Sequence, residues 1–355
     1  MATPQEILAG LKEVKYPGFT RDIVSFGIVR DIEIASAGIT VTLAMNTTKS
    51  ETVDEISRAV RERVRAMTGV GAVEIVIQEP EKPKPAAPAK TPGIPGIRHI
   101  VAVASGKGGV GKSTVAVNLA LALHGLGQRI GLLDADVYGP SVPLMLGLDE
   151  RPSSSAQERI VPLDRYGLKA ISLGLFIQPG QPVIWRGPMI TKLLTQFLRE
   201  VEWGDLDVLV LDLPPGTGDA QLTITQQAPL SGGVIVTTPQ DVALLDVQRG
   251  IAMFNQVNTP VLGVVENMSF HVCGGCGERA EIFGHGGGRR MAADLSIPFL
   301  GEVPLVRGIR ESMDAGRPVV IAAPDSPEAQ AFVAIAKGVL RELEQRAGIA
   351  LPTVH

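Results

Sequence analysis

Nine consecutive residues constrain this chain more than any others: Gly106-Lys107-Gly108-Gly109-Val110-Gly111-Lys112-Ser113-Thr114. They satisfy G-x-x-x-x-G-K-[ST]. They follow an apolar, β-type run at 99–104 and open a helical stretch at 113–126 carrying Val117, Ala120, Leu121 and Leu123. Strand, glycine turn and helix in that order form a phosphate-binding loop. The glycines let backbone N–H groups turn inward around phosphate oxygens, and the helix N-terminus adds partial positive charge. Lys112 is then placed to reach the β- and γ-phosphates, and Ser113 to ligate Mg²⁺.

A loop of this kind needs a parallel sheet beneath it, and the chain supplies one. Short, nearly continuous apolar runs recur at 129–133, 168–173, 207–211, 233–237 and 260–265, with helical stretches between most of them. Strands buried on both faces and alternating with helices imply an α/β fold. Two of the runs end in carboxylates. The first leads into Asp134-Ala135-Asp136, and the second into Asp212-Leu213-Pro214-Pro215-Gly216. Four apolar residues closing on Asp212 make a Walker B arrangement, which places that carboxylate just behind Mg²⁺. The helical stretch at 327–346 carries charges of both signs and reads as a helix docked on the core. A membrane-surface helix would be basic on its polar face.

Ahead of the P-loop, residues 1–78 read as a small α+β domain in the order α-β-β-α-β. Pro4 follows Thr3, and Ile7, Leu8, Leu11 and Val14 recur at helical spacing. Runs at 23–34, 39–45 and 70–77 are β-type, and 53–67 is helical. Residues 79–97 hold six prolines and read as a semi-rigid linker. The P-loop domain then occupies 98–355.

Composition narrows the partners. The net charge is −4 and aromatics make up 4% of the 355 residues. Both disfavour a nucleic-acid partner, which calls for basic surface and stacking rings. No apolar run reaches the roughly 18–20 residues that span a bilayer. The N-terminus lacks a signal-peptide pattern. The expected compartment is the cytoplasm, because the two cysteines form no disulfide framework.

Those two cysteines lie together as Cys273-Gly-Gly-Cys276, with His271 and His285 nearby. Three chemistries fit. Two thiolates from each of two subunits give the four ligands of a [4Fe–4S] cluster. Two cysteines with both histidines make a tetrahedral zinc site. A dithiol–disulfide pair is the third.

The motif GKGGVGKST resembles the deviant Walker A of the MinD/ParA-like P-loop ATPases. There the early lysine crosses a dimer interface, so the resemblance implies an ATP-dependent homodimer with Lys107 acting in trans. It further implies that Asp136 orients the attacking water, that Asp134 lies near Mg²⁺, that Gly216, Gly218 and Asp219 sense the γ-phosphate, and that Asn267 reads adenine. The segments NMSFHVCGGC, IFGHGGGRRMA and VIWRGPM resemble the Mrp/ApbC iron–sulfur cluster carriers within that group. Residues 1–78 resemble the small domain of iron–sulfur assembly factors. That domain frequently carries a cysteine after its second strand, where this chain reads Asn46-Thr47-Thr48-Lys49-Ser50, so a docking role is expected of it. The resemblance implies a cytoplasmic ATPase that holds a labile [4Fe–4S] cluster through Cys273 and Cys276, takes it from scaffold donors and passes it to apo-proteins, with no nucleic acid or membrane involved. Two other classes compete. A positioning ATPase needs a basic tail or patch and no CxxC, and an electron-transfer ATPase resembling nitrogenase iron protein has ligand cysteines far apart in sequence.

Overall fold

The computed structural model describes residues 3–15, 22–25, 28–35, 38–44, 50–68, 72–78, 93–176, 187–216 and 219–347. Residues 46–49, most of the 79–97 stretch, 183–186 and Gly218 therefore lie outside the described residues, as does the side chain of Asp219. The chain divides into two units, 1–89 and 90–355.

The smaller unit runs α1 (Pro4–Leu11), β1 (Val29–Ala35), β2 (Gly38–Ala44), α2 (Ser50–Thr68) and β3 (Val73–Gln78). Thr3 caps α1 in a reciprocal capping box with Glu6. β2 is central, antiparallel to β1 and parallel to β3. Ile39, Val41 and Leu43 alternate onto its inner face and bury against Ile56, Val60 and Val64 of α2. The first strand begins later than the apolar run at 23–34 suggests. Asp22 accepts from both the backbone and the hydroxyl of Ser25. That local turn competes with extended structure, and the strand forms only beyond it.

The larger unit continues with β4 (Ile97–Ala104), α3 (Lys112–Gly125), β5 (Ile130–Asp134), α4 (Val142–Leu146), β6 (Leu163–Arg165), β7 (Leu168–Ser172), α5 (Gly187–Arg199), β8 (Leu206–Asp212), α6 (Asp219–Gln227), β9 (Gly232–Thr237), α7 (Asp241–Gln256), β10 (Val261–Glu266), β11 (His271–Val272), β12 (Arg279–Ala280), α8 (Gly287–Asp294), β13 (Phe299–Glu302), α9 (Arg307–Asp314), α10 (Val319–Ala322) and α11 (Pro327–Ala347). Eight strands form one sheet in the order β13-β10-β9-β4-β8-β5-β7-β6, and only the edge strand β6 runs antiparallel. Side chains of β4 alternate between two cores. Val101 and Val103 join α3 and α11 on one face, while Ile100, Ala102 and Ala104 join α5, α6 and α7 on the other. This two-sided burial explains why the central strands read as continuous apolar runs. The helix α11 seats Phe332, Ile335, Ala336 and Val339 in the core, fully buried. Among the described residues no helix is long and apolar enough to cross a membrane.

The topology sets the site. Strands β4, β5, β8, β9 and β10 all end at the same edge of the sheet. Their C-terminal residues carry the P-loop, Asp134, Asp212, Thr237 and Glu266. In open α/β sheets that edge is where ligands bind.

Candidate functional site

The P-loop leaves β4 at Ser105, whose hydroxyl donates to the Lys107 carbonyl at 2.9 Å. Gly111 ends the loop at φ +80, a left-handed conformation that side-chain-bearing residues rarely adopt. It is also the N-cap of α3 and offers no side-chain cap, so the first N–H groups of the helix are left for an anion. A cavity of about 200 Å³ opens there, lined by the loop, Asp136, Ser141, Met145 and Pro215.

Lys112 is buried and donates from Nζ to Asp212 Oδ1 at 2.5 Å and to Ser113 Oγ at 3.1 Å. Its ammonium also lies 3.6 Å from Asp136 Oδ2. Asp212 is completely buried, and its Oδ2 has no hydrogen-bond partner among the described residues. Burial raises the Asp212 pKa above the usual carboxylate value, and the neighbouring Lys112 opposes that rise. A buried anionic oxygen without a donor is costly. Beside the Ser113 hydroxyl it forms a hard-oxygen donor set that fits Mg²⁺ and its water ligands.

Asp134 is arranged differently. Oδ1 accepts from the Asp136 N–H, and Oδ2 accepts from the Val142 N–H and the Ser172 hydroxyl, at 2.9–3.2 Å. Burial first, and the Asp212 charge second, push its pKa up to about 7. Oδ2 thus ties the start of α4 to the end of β7, while Oδ1 holds the backbone of Asp136. Asp136 accepts from the Tyr138 and Gly139 N–H groups through Oδ1, which turns Oδ2 toward Lys112.

Lys107 is half-buried and donates to Gln240 Oε1 at 3.2 Å, within its own chain. Asn267 is buried behind the P-loop, where its Nδ2 donates to the Val110 carbonyl at 2.8 Å. A Cβ on Gly111 would collide with that same amide. The next residue, Met268, sits at φ +54, a strained position for a side-chain-bearing residue.

Beyond Met268 the chain forms the hairpin β11–β12, with the two cysteines at its turn. Cys273 N–H donates to the Glu278 carbonyl, and Gly277 N–H donates back to the Cys273 carbonyl. Both thiols are free, and Cys276 is exposed. The N–H groups of Cys276 and Gly275 bring the Cys273 pKa down to about 7, so a large fraction is thiolate near neutral pH. His271 Nδ1 bonds the Leu305 carbonyl, and His285 lies against Arg279. Among the described residues no third ligand converges on either cysteine. The one cluster with metal-ligand spacing among the described residues is Glu266, His285 and Glu302. There Glu302 already pairs with Arg279 and Arg289. A Cys₂His₂ site is therefore not assembled within one chain.

Four residues of the site carry no sequence motif. Ser172 holds Asp134, Gln240 holds Lys107, and Glu266 with Ser269 anchors the loop between Asn267 and the hairpin. Ser172 and Gln240 act across 38 and 133 residues, and Glu266 joins Ser269 three residues on to Gly286 and Gly288 further along, pairings that no motif spacing reveals.

Known proteins match both units. Residues 96–340 match the family model of the NUBPL iron-transfer P-loop NTPase, and residues 4–75 match that of an iron–sulfur cluster assembly protein. An iron–sulfur cluster carrier protein of Synechocystis sp. is 43% identical over 352 residues, 98% of this chain and 99% of that protein. The iron–sulfur cluster transfer protein NUBPL of Dictyostelium discoideum is 51% identical over 253 residues, 71% of this chain and 78% of that one. Among solved structures, a nucleotide-binding protein from Archaeoglobus fulgidus in complex with ADP is 39% identical, with a TM-score of 0.59 over 67% of this chain and 92% of that one. The cell division ATPase MinD of Pyrococcus furiosus shares the fold at 22% identity and a TM-score of 0.52, covering 68% of this chain and 98% of that one. The chain therefore belongs to the family of NUBPL iron-transfer P-loop NTPases, with an iron–sulfur cluster assembly domain ahead of its P-loop unit.

Proposed function

We propose that this protein is an ATP-binding and ATP-hydrolysing carrier that holds a labile [4Fe–4S] cluster between two copies of the chain and passes it to apo-proteins. The observation that carries the reading is the pairing of two half-complete sets in one chain. Two exposed or half-exposed thiols have no third ligand among the described residues, and a P-loop lysine sits beside a buried, unpaired Asp212 oxygen. A cluster usually takes four thiolates, so two chains are needed to hold one.

The residues divide the work as follows. Lys112 and the loop N–H groups bind the phosphates. Ser113 and Asp212 hold Mg²⁺, which supplies neutralisation of the phosphate charge when bound. Asp136 orients water, and Lys107, leaving Gln240, reaches the partner's nucleotide. Asn267 supports the loop and lies on the adenine side. Phosphoryl transfer asks the protein mainly for positioning and charge stabilisation, and this set supplies both. Asp134 contributes by aligning α4 and Asp136. The small domain, without a cysteine at 46–50, docks scaffold donors or apo-protein acceptors. The work is cytoplasmic and requires neither nucleic acid nor membrane.

Anaerobic reconstitution followed by iron and sulfide analysis tests the reading. About four irons and four sulfides per dimer are expected. One tightly held Zn²⁺ per chain, dependent on His271 or His285 and with no iron uptake, would replace it with a structural zinc site.

A further inference from the structure

The proposed nucleotide and cluster sites are joined by one short segment. Asn267 bonds the P-loop at Val110, and Cys273 lies six residues further on. Along the way the backbone is pinned at Asn267, Ser269 and Phe270. Asn267 N–H donates to Thr237, Ser269 N–H donates to Val303, and Leu305 N–H donates to the Phe270 carbonyl. Glu266 stands at the head of this segment. Its carboxylate is fully buried and accepts three bonds, from the Ser269 hydroxyl at 2.6 Å, the Gly286 N–H at 3.0 Å and the Gly288 N–H at 2.5 Å.

Those bonds point to two different parts of the molecule. The two glycine N–H groups lie at the N-terminus of α8, where a carboxylate also complements the helix dipole. The Ser269 hydroxyl belongs to the loop that leads to the hairpin. Met268 lies between the two ends in a left-handed conformation and reaches toward Gly111. Strained backbone of this kind persists only where the surroundings over-determine it, and here Glu266 and the P-loop are those surroundings. The P-loop and the cysteines are thus linked by a short, hydrogen-bonded segment.

We propose that Glu266 is a positioning residue that couples the nucleotide site to the cysteine hairpin, by holding segment 266–269 rigidly between the P-loop and α8. The inference rests on the nucleotide and cluster roles proposed above. It predicts that nucleotide changes the hairpin even with no cluster bound.

The test is hydrogen exchange on the full-length, cluster-free chain, with and without Mg²⁺ and a non-hydrolysable ATP analogue. Nucleotide affinity is measured in parallel. In the wild-type chain, exchange at the Cys273 and Gly277 amides should change about fivefold or more, the lower end of ordinary coupling between sites. Glu266→Gln keeps the shape and removes the charge. With the analogue at a saturating concentration, set by the measured affinity of each chain, it should lose the hairpin response. If Glu266→Gln fails to fold, Ser269→Ala removes a single donor and should weaken the response. A wild-type hairpin indifferent to bound nucleotide overturns the inference, as does a full response in the variant that folds. Failure of the wild-type chain to bind the analogue at all would instead overturn the proposed ATP function.

Discussion

At the scale of single residues, the phosphate site is the part most legible in the sequence. Lys112, Ser113 and Asp212 stand in fixed relation to glycines and strand ends, so their meeting follows from the motif. Lys112→Ala should abolish hydrolysis and weaken nucleotide binding about tenfold or more, since hydrogen bonds to charged groups are worth about 1.5–3 kcal/mol. Turnover at the wild-type rate in that variant would remove the P-loop assignment. Asp134 was legible as a strand-end acid, but not as the acceptor for α4 and Ser172, because Ser172 lies 38 residues away. That environment makes a pH prediction. The Asp134 pKa is about 7 in the folded chain against an ordinary 3.8. The folded state thus keeps a proton that the unfolded state has lost. This contribution is present below about pH 4 and is lost as pH rises through about 7. His99, whose pKa is lowered chiefly by burial, contributes the opposite slope. The informative quantity is therefore the difference between wild type and Asp134→Asn in urea unfolding of the nucleotide-free protein. The wild type should lose more stability than the variant between pH 4.5 and 7.5 (a window set by about those pKa values). Parallel curves would assign the titration elsewhere.

At the scale of elements, the central strands were readable because burial on both faces leaves them continuously apolar. The rest was not, for reasons of length and context. The edge strand β6 has three residues, the β11–β12 hairpin has two per strand, and β13 has four, half-buried and following Pro298. None is long enough to show periodicity. The hairpin is nonetheless the element that presents Cys273 and Cys276. Across its strands it is held by backbone bonds and by Arg279 stacked on Phe270 at 3.8 Å. Cys273→Ala and Cys276→Ala should therefore each abolish iron retention after anaerobic reconstitution. Thermal stability and nucleotide affinity should stay near wild type. Loss of nucleotide binding in either variant would show that the thiols support the fold and would weaken the carrier reading.

At the scale of the whole molecule, the two P-loop lysines differ in a way that bears on whether the proposed ATPase works as one chain or as two. Lys112 is committed to its own chain by bonds to Asp212, fully buried at the end of β8, and to Ser113, in the first turn of α3. Among the described residues, Lys107 is held by one bond to a neutral carboxamide, Gln240, on a half-buried stem. A neutral partner leaves most of the ammonium charge uncompensated, so exchanging Gln240 for a phosphate oxygen is electrostatically favourable. Lys107→Ala and Asp136→Asn should each abolish hydrolysis alone. Mixing them separates the two geometries. If each site takes Lys107 from the opposite chain, a mixed dimer has one site with both lesions and one site with neither, and activity returns. If Lys107 serves its own chain, each site keeps one lesion and the mixture stays inactive. Absence of recovery, with subunit exchange demonstrated by differently tagged chains, would confine Lys107 to its own nucleotide and leave the cysteines to find their second pair by another route.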